Sequence, residues 1–390
     1  MNFIYLSIII FSLVKEDIMA RVEGNLDALR REIENSDFDA VVAMSPENSP
    51  YASGVLLWTQ RSIRDRLALV VLPKKGSPTL IVATQEEGYC REKSWIEDIR
   101  GYVQGYKSPI DVLAEVLEEK GLAAGRIGYE PTYLSVDYYE QLVAALPEAQ
   151  FESSESQFAC ARMVKSESEI EVLKRAAVAT ERALMVTYSA IKPGDVESEL
   201  VARLGSEILR GGAELPAFLY LTIGPNSGHA HPDPTDYRIQ PGDLVKTDCG
   251  GYFSGYYSDV ARTAVLGKAT EEQKSIYRRI YQVHEATIKS MTPGTLASEV
   301  FEVAVEGYKE AEISFSLSFA GHGVGYAIHE TPMLAGDDHT SLEPGMFFSV
   351  ETRVRWPGKA GYHIEDAVLV TESGPELITN FMDTSQLMEL

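Results

Sequence analysis

Residues 247–263 read TDCGGYFSGYYSDVART, and this stretch decides the fold of the C-terminal half. Two aspartates, Asp248 and Asp259, stand 11 positions apart with three glycines between them. Glycine permits the tight turns that return a chain on itself, so the pattern predicts a strand, a turn and a returning strand. We therefore expect both carboxylates at neighbouring positions of one sheet.

Three more sequence segments follow, and each contains a residue of a type that binds metal ions. GHGVGYAIHE (321–330), PGMFFSVET (344–352) and YHIEDAVLV (362–370) contain His322, Glu351 and Glu365. We expect Glu351 near the end of one apolar strand and Glu365 at the start of the next. Charged side chains in such places are costly unless they are paired or bind a cation. Four carboxylates and one imidazole suit two divalent cations that share a water, which favours a hydrolase.

Composition and charge exclude several classes of protein. The chain has 390 residues, 45% hydrophobic and 24% charged, which is long enough for two ordinary domains. Its 35 basic and 58 acidic residues give a net charge of -23. Such a surface repels phosphate backbones and anionic membranes, so we expect no nucleic-acid or membrane partner. Three widely spaced cysteines predict no disulfide framework and favour the cytoplasm.

The first residues form an apolar run, FIYLSIIIFSLV (3–14), that is too short to span a bilayer as a helix. A secretory signal would carry a basic segment before such a run and a small-residue cleavage site after it. Met19 opens an ordinary amphipathic segment, MARVEGNLDALRREI. We therefore expect residues 1–18 to be a non-native or dispensable extension.

Periodicity predicts two domains. Residues 19–155 alternate helical and strand-like segments and form an α/β domain, with strands near 38–44, 67–72, 79–83 and 126–130 and helices near 21–35, 110–120 and 135–146. The polar stretch 151–169 is expected as an interdomain connection, and residues 156–390 form the second domain. Capping boxes begin helices after Ser166, with Glu169 at its third position, and after Thr270, with Gln273.

The second domain contains a short internal sequence repeat. IKPGDVESELV (191–201) and MTPGTLASEVF (291–301) share a Pro-Gly pair followed by Ser-Glu at an offset of 100 residues. A long helix is expected before each Pro-Gly pair, a shorter helix after it, and strands with ligand candidates later. This order predicts two similar halves related by a pseudo-twofold axis, with the site between them.

These frames resemble those of the pita-bread metallopeptidase superfamily, which includes Xaa-Pro dipeptidase, aminopeptidase P, methionine aminopeptidase and creatinase. Residues 19–155 also resemble the creatinase-type N-terminal domain. The resemblance implies an α/β protein in which that domain precedes a pseudo-twofold pita-bread catalytic domain. It further implies a cytoplasmic homodimer that hydrolyses small peptides at Xaa-Pro bonds with two divalent metal ions. Ligand type admits Mn²⁺, Co²⁺, Zn²⁺ or Fe²⁺, with Mn²⁺ favoured.

The resemblance also implies roles for individual residues. Asp259 and Glu365 bridge the two metals, Asp248 completes one metal site, and His322 with Glu351 completes the other. Glu351 also shuttles a proton. Two further histidines are expected to bind substrate and assist catalysis. They are His231, in HAHPDPTDYRIQPGD, for which His229 is the nearest competitor, and His329, in HETP.

Two positions depart from the prolidase pattern. His363 stands where the family often has an arginine, and Ala261 stands where many members have threonine. Loss of the arginine removes a fixed donor near the metals. We therefore expect His363 to contact substrate and to select a free carboxylate less strongly, or else to brace Glu365. The departure keeps open a small-molecule C–N amidohydrolase of the creatinase or ectoine-hydrolase type as the alternative function.

Overall fold

A computed structural model describes residues 24–314 and 318–390, so the predicted extension at residues 1–18 lies outside the described residues. The chain forms two compact units, one ending at Arg162 and the other continuing from Met163. This division falls inside the polar stretch 151–169. Within the described residues, no helix is long and apolar enough to cross a membrane.

The first unit is built on one six-stranded mixed sheet with spatial order β4-β3-β2-β1-β5-β6. Its strands are β1 Ala40–Ala43, β2 Leu69–Pro73, β3 Thr79–Ala83, β4 Asp98–Tyr102, β5 Arg126–Tyr129 and β6 Gln150–Ser153. The α-helices described in the same unit are α1 Leu26–Asn35, α2 Asn48–Ser53, α3 Trp58–Ser62, α4 Glu87–Lys93, α5 Pro109–Glu119, α6 Val136–Ala145 and α7 Glu155–Met163. The central strand β1 is flanked by β2 and β5, and all four of its residues are buried.

The predicted strands and the helices near 110–120 and 135–146 lie within a few residues of the observed elements. The stretch 151–169 contains the boundary between the two units, as an interdomain connection would, but it is also structured, since most of β6 and all of α7 lie within it. Helix α7 buries only Phe158 and Ala161. A helix with so few buried side chains has little apolar periodicity in its sequence, and this is why the pattern missed it.

The second unit contains four long helices and a large, mostly antiparallel sheet. The helices are α8 Glu167–Tyr188, α9 Glu197–Arg210, α10 Glu271–Ser290 and α11 Ala297–Glu310. The strands are β7 Leu215–Ile223, β8 Leu244–Phe253, β9 Tyr256–Tyr257, β10 Val260–Val265, β11 Phe319–Gly323, β12 Glu330–Ala335, β13 Phe347–Trp356, β14 Ala360–Thr371, β15 Gly374–Leu377 and β16 Met388–Glu389. Both predicted capping boxes are present, at Ser166 and Thr270.

The main path of this sheet runs β12-β11-β13-β14-β10-β8-β7. Side chains alternate between the two faces of a strand. In β13, Phe348, Val350 and Val354 pack into the core with α10 and α11. Glu351 and Arg353, at the alternate positions, therefore lie on the opposite face of the sheet. That face, free of the helical core, carries the candidate site.

The two halves of this unit repeat one hydrogen-bonding pattern at the predicted offset of 100 residues. Gly194 N donates to Ile239 O and Gly294 N donates to Leu342 O, both at 2.8 Å. The two glycines share a left-handed backbone, with φ of 90° and 91°, which only glycine adopts without strain. The residue before each short helix also forms a matching isolated bridge, Val196 with Arg238 and Leu296 with Ser341.

Two strand boundaries differ from the sequence expectation. Glu351 lies in the middle of β13, and Glu365 lies in the middle of β14, where the two residues face each other across the strands. The strands extend further than their apolar cores because polar residues such as Arg353 and His363 also occupy paired positions. Pairing with a neighbouring strand, rather than local hydrophobicity, sets these boundaries.

A buried ionic network holds the central strands from the helix side. The Nη2 atom of Arg262 donates to Glu181 Oε1 at 2.6 Å and to Asp366 Oδ1 at 2.7 Å. Its Nη1 atom donates to the carbonyl oxygen of Glu365 at 2.7 Å. His284 Nε2 lies 2.9 Å from Asp366 Oδ2. Burial alone would raise the pKa of Asp366, but the charge of Arg262 and the hydrogen bond with His284 outweigh it and lower that pKa.

We expect Asp366→Asn to destabilise the metal-free protein by about 3–5 kcal/mol at pH 7, because it breaks the buried ion pair with Arg262 and leaves Glu181 as the remaining carboxylate partner of that guanidinium. A lowered folded-state pKa contributes stability that is present above the unfolded-state pKa of about 3.9 and is lost as the pH falls further. Thermal unfolding of both proteins at pH 7 and pH 3 should therefore show that the difference between their unfolding temperatures is smaller at pH 3. The exposed Glu271→Gln serves as the control, and a difference independent of pH contradicts the assignment.

Candidate metal centre

Acidic side chains lie side by side on the sheet face opposite the helices. Strand pairing places Glu351 opposite Glu365, and Ala261 opposite both Glu365 and Asp248. Directly opposed residues bring their Cβ atoms to about 4.5–5.5 Å. Asp259 precedes β10 and lies two positions before Ala261, so it points to the same face. We call these four acidic residues the carboxylate row.

Two clusters of metal-ligand atoms form along this row, and they share Glu365. One contains Asp248, His363 and Glu365, and the other contains Asp259, His322 and Glu365; the ligand atoms of each lie within 4.8 Å of one another. His322 Nε2 is 3.6 Å from Asp259 Oδ2 and 3.8 Å from Glu365 Oε1. All five side chains are buried. The structure thus brings together four of the five predicted ligands and adds His363.

Glu351, the fifth predicted ligand, lies beside these clusters and belongs to neither. Its Oε2 atom is 3.0 Å from His363 Nε2 and also contacts the Nη1 atom of Arg353. Only 4% of the residue is exposed. A metal-ligand role for Glu351 therefore stays a prediction, while its position next to the centre suits proton transfer.

The donor atoms fit a divalent cation. Asp259 Oδ1 and His363 Nδ1 are buried and have no hydrogen-bond partner among the described residues, an arrangement that is costly without a ligand. The Nδ1 atom of His322 lies 3.1 Å from the carbonyl oxygen of Gly323. A carbonyl only accepts, so Nδ1 carries the proton and the lone pair of His322 Nε2 faces the carboxylates.

Burial makes the carboxylate row unfavourable by itself. The pKa values of Asp259 and Glu365 are raised well above their usual range, because both groups are buried and because each lies near other carboxylates. Burial lowers the pKa of His322 to about 3, so its imidazole is neutral at physiological pH. Buried carboxylates that repel one another beside a neutral imidazole form an environment that a divalent cation stabilises.

A second row, two positions further along the strands, is basic. Strand pairing places Arg353 opposite His363 and Lys246 opposite Thr263, and the hydroxyl of Thr263 hydrogen-bonds both the backbone N–H and the carbonyl of His363. Arg355 lies two positions beyond Arg353 on the same face. Burial, with the nearby charge of Arg355, lowers the pKa of Lys246 to about 7. We call Lys246, Arg353 and Arg355 the basic row.

The basic row was not predicted from the sequence. A signal was present, because Glu351, Arg353 and Arg355 alternate, as do Lys246 and Asp248, and alternate residues of a strand share a face. Arg355 is half-buried, and its buried Nε and Nη2 atoms have no hydrogen-bond partner among the described residues. A cavity of about 340 Å³, lined in part by Arg353 and Arg355, adjoins this end of β13.

The predicted substrate histidines lie at the exposed edge of the centre. His231 Nε2 is 3.8 Å from Asp248 Oδ2, and 53% of the side chain is exposed. The ring centroid of His329 lies 4.1 Å from that of His322, and His329 is exposed. His229, the competitor of His231, instead accepts a hydrogen bond from Lys246 through its backbone carbonyl. A substrate-binding role for His231 and His329 remains a prediction, and both side chains are accessible.

The comparisons with known proteins cover nearly the whole chain. The chain is 29% identical over 358 residues to the Xaa-Pro dipeptidase of Lactobacillus delbrueckii subsp. lactis, covering 90% of this chain and 95% of that protein. The crystal structure of dipeptidase PepE from Mycobacterium ulcerans matches with a TM-score of 0.82 at 27% identity, covering 94% and 96% of the two chains. The X-Pro aminopeptidase of Thermotoga maritima gives a TM-score of 0.82 at 25% identity, covering 95% and 100%.

Two family profiles account for the two units. The creatinase/prolidase N-terminal domain matches residues 25–164, and metallopeptidase family M24 matches residues 171–372, just over half of the chain. The predicted superfamily, the two-part α/β fold and the prediction of a metal-dependent hydrolase are confirmed, and the family implies divalent metal ions. The carboxylate row and its two clusters therefore lie in a catalytic unit of known type, and the chain belongs to metallopeptidase family M24.

Proposed function

We propose that this chain hydrolyses Xaa-Pro peptide bonds with two divalent cations. The observation that carries the proposal is the pair of ligand clusters that share Glu365 on one buried face. Relatives that are similar over nearly their whole length are named as an Xaa-Pro dipeptidase and an X-Pro aminopeptidase, which supports the substrate class.

The residues that would hold the cations are Asp248, Asp259, His322, Glu351 and Glu365, and by the resemblance to the family Asp259 and Glu365 would be shared between them. Oxygen-rich ligation favours Mn²⁺ among the candidates. Bound cations supply polarisation of the scissile carbonyl and a water of lowered pKa. The contribution of the chain is to hold these donors at fixed positions on paired strands, so that no reorganisation accompanies the reaction.

Proton movement falls to Glu351. Its Oε2 atom lies beside the clusters, and the side chain is almost fully buried, so the carboxylate accepts a proton from the attacking water and delivers it to the departing proline nitrogen. At the exposed edge, His329 donates a hydrogen bond to the oxygen of the tetrahedral intermediate. His231 holds the substrate from the side of Asp248.

The basic row favours a substrate with a free carboxylate. The arginine that the family often carries at position 363 is missing, but Arg353, Lys246 and Arg355 bring positive charge to the same part of the sheet. The half-buried Arg355 has unpartnered donors among the described residues, and a carboxylate is the usual partner of such a guanidinium. A dipeptide presents its terminal carboxylate within about 4 Å of the scissile bond, as covalent dimensions require. We therefore favour Xaa-Pro dipeptides over longer peptides.

The proposal extends to a cytoplasmic homodimer without nucleic-acid or membrane partners. All three cysteines are free, and Cys90 and Cys249 are buried, which fits a reducing compartment. The net charge of -23 disfavours anionic partners. The homodimer rests on the resemblance to the family.

Removal of metal should abolish activity, and Mn²⁺ should restore it. Glu365→Gln removes a shared charge and should lower kcat/KM for an Xaa-Pro dipeptide at least about 100-fold, since even partners that only orient ligands account for 10–100-fold. Metal content and hydrolysis are measured together, with Glu271→Gln as the control. Creatine and ectoine are assayed in parallel, and cleavage of either instead of the dipeptide supports the amidohydrolase alternative.

Metal-free Asp259→Asn should be more stable than the metal-free wild type. The raised pKa of Asp259 means that its ionised form opposes folding at pH 7, so removal of the charge should raise the unfolding midpoint by about 2–4 °C per kcal/mol. The same variant should lose most of the increase in midpoint that Mn²⁺ produces. Differential scanning calorimetry with and without Mn²⁺ checks both signs. A less stable metal-free variant with an unchanged Mn²⁺ response contradicts the assignment.

Arg355→Gln should lower kcat/KM for an Xaa-Pro dipeptide about 10-fold or more, because a hydrogen bond to a charged group contributes about 1.5–3 kcal/mol. The C-terminal amide of the same dipeptide has no carboxylate, so its kcat/KM should change little. Arg355 is preferred to Arg353 for this test because Arg353 contacts Glu351. The exposed Arg210→Gln is the control, and an equal loss on both substrates removes Arg355 from carboxylate recognition.

A further inference from the structure

We propose that His363 is itself a metal ligand, joining Asp248 and Glu365 around one of the two cations. The inference rests on the proposed dinuclear centre and deepens it, because it assigns a nitrogen donor to a position where the family often has arginine. Three features of the structure carry it: the position of the ring, the proton on the ring, and the similarity of the two ligand clusters.

The imidazole of His363 lies inside the centre. The residue has no exposed surface, and its Nδ1 atom is 3.6 Å from Asp248 Oδ2. Two donors that bind one cation at about 2.0–2.2 Å lie roughly 3–4 Å apart, so this separation fits a shared ion. With no exposed surface, the ring is enclosed beside Asp248, Glu351 and Glu365, so the cluster is the place where its lone pair is used.

The hydrogen bonds fix which nitrogen holds the proton. His363 Nε2 lies 3.0 Å from Glu351 Oε2 and 3.5 Å from Glu365 Oε2. A carboxylate accepts, so Nε2 carries the hydrogen and donates it to Glu351. The lone pair is then on Nδ1, the atom that is buried without a hydrogen-bond partner among the described residues. Metal-bound histidines commonly have their second nitrogen held by a carboxylate in this way.

The backbone that carries the ring is held on both sides. Thr263 Oγ1 donates to the carbonyl oxygen of His363 at 2.9 Å and accepts from its N–H at 2.8 Å. Strand pairing with Arg353 on the other side completes the frame. These contacts hold the backbone of His363, and the hydrogen bond from Nε2 to Glu351 orients the ring before any cation binds, so little conformational entropy is lost on binding.

The two clusters then have the same composition. His322 Nε2 is 3.6 Å from Asp259 Oδ2, as His363 Nδ1 is from Asp248 Oδ2. Each cluster has one aspartate, one imidazole and the shared Glu365. In each, the second ring nitrogen donates to an oxygen, the carbonyl of Gly323 for His322 and the carboxylate of Glu351 for His363.

A nitrogen donor changes the metal that this cluster prefers. Without His363 the donors around Asp248 are carboxylates alone, which suit Mn²⁺. One imidazole moves the preference towards Co²⁺ and Zn²⁺. We therefore expect the two sites to be more alike in the metal ion that they prefer than the two sites of a centre with a single histidine.

The test uses Co²⁺-loaded full-length protein and proton NMR. A histidine bound to Co²⁺ gives a strongly shifted, exchangeable ring N–H resonance. Wild type should show two such resonances, from the Nδ1–H of His322 and the Nε2–H of His363. His363→Gln should lose one of them and should bind one equivalent of Co²⁺ about 10- to 100-fold more weakly, with a smaller change for Mn²⁺.

His339→Gln is the matched control, because His339 is exposed and its Nδ1 atom pairs with Ser298; it should keep both resonances and both affinities. Two shifted resonances in His363→Gln, or only one in the wild type, overturns the proposal. The wild-type spectrum decides even if His363→Gln does not fold. None of these readouts involves a substrate, so failure of Xaa-Pro hydrolysis is distinguished from failure of this inference.

Discussion

The repulsion among buried carboxylates is the constraint on which the rest of the catalytic unit depends. Asp248, Asp259, Glu351 and Glu365 share one face of the sheet and are all less than a tenth exposed. Buried charges of one sign are tolerated only when cations or hydrogen bonds compensate them. The buried negative charge is compensated by the hydrogen bond that His363 donates to Glu351, by the basic row and by the proposed metal ions, which the imidazole of His322 would help to hold.

The opposite face of the same strands holds the backbone of a ligand residue in place. There, Arg262 and His284 hold Asp366, and Arg262 also binds the backbone oxygen of Glu365. Neighbouring residues of one strand thus point in opposite directions and do different work, with Glu365 facing the centre and Asp366 facing the helices. A ligand whose backbone is held from behind keeps its position, which is what electrostatic preorganisation requires.

The pseudo-twofold arrangement explains why the centre lies where it does. The repeated Pro-Gly turns begin equivalent halves, and the innermost strands β10 and β14 meet at the pairing of Ala261 with Glu365. Each half contributes strands that carry acidic residues to this junction. The basic row breaks this symmetry: β13 and β8 occupy equivalent places in the sheet, but β13 carries two arginines, Arg353 and Arg355, whereas β8 carries the single Lys246. This asymmetry makes one side of a symmetric scaffold positively charged, and the positive side would orient a substrate by its carboxylate.

Local patterns in the sequence determined much of this protein. The capping boxes at Ser166 and Thr270, the repeat of Pro-Gly turns and most strands of the first unit were predicted, because each depends on residues a few positions apart. The ligand candidates were also recognisable, since aspartate or glutamate within glycine-rich or apolar frames is uncommon without a purpose. These features were sufficient to predict the superfamily and the class of reaction.

Only the tertiary structure decided which side chains meet. The position of His363 between Asp248 and Glu351, and the charges of Lys246, Arg353 and Arg355 beside it, follow from strand register across the sheet. Register within each hairpin is local, but the pairing of β10 with β14, which brings the two hairpins together, joins segments about 100 residues apart, so no local pattern contains it. The sequence therefore determined the donors and the fold that carries them, while long-range strand pairing decided how those donors are grouped and which of them face a common cation.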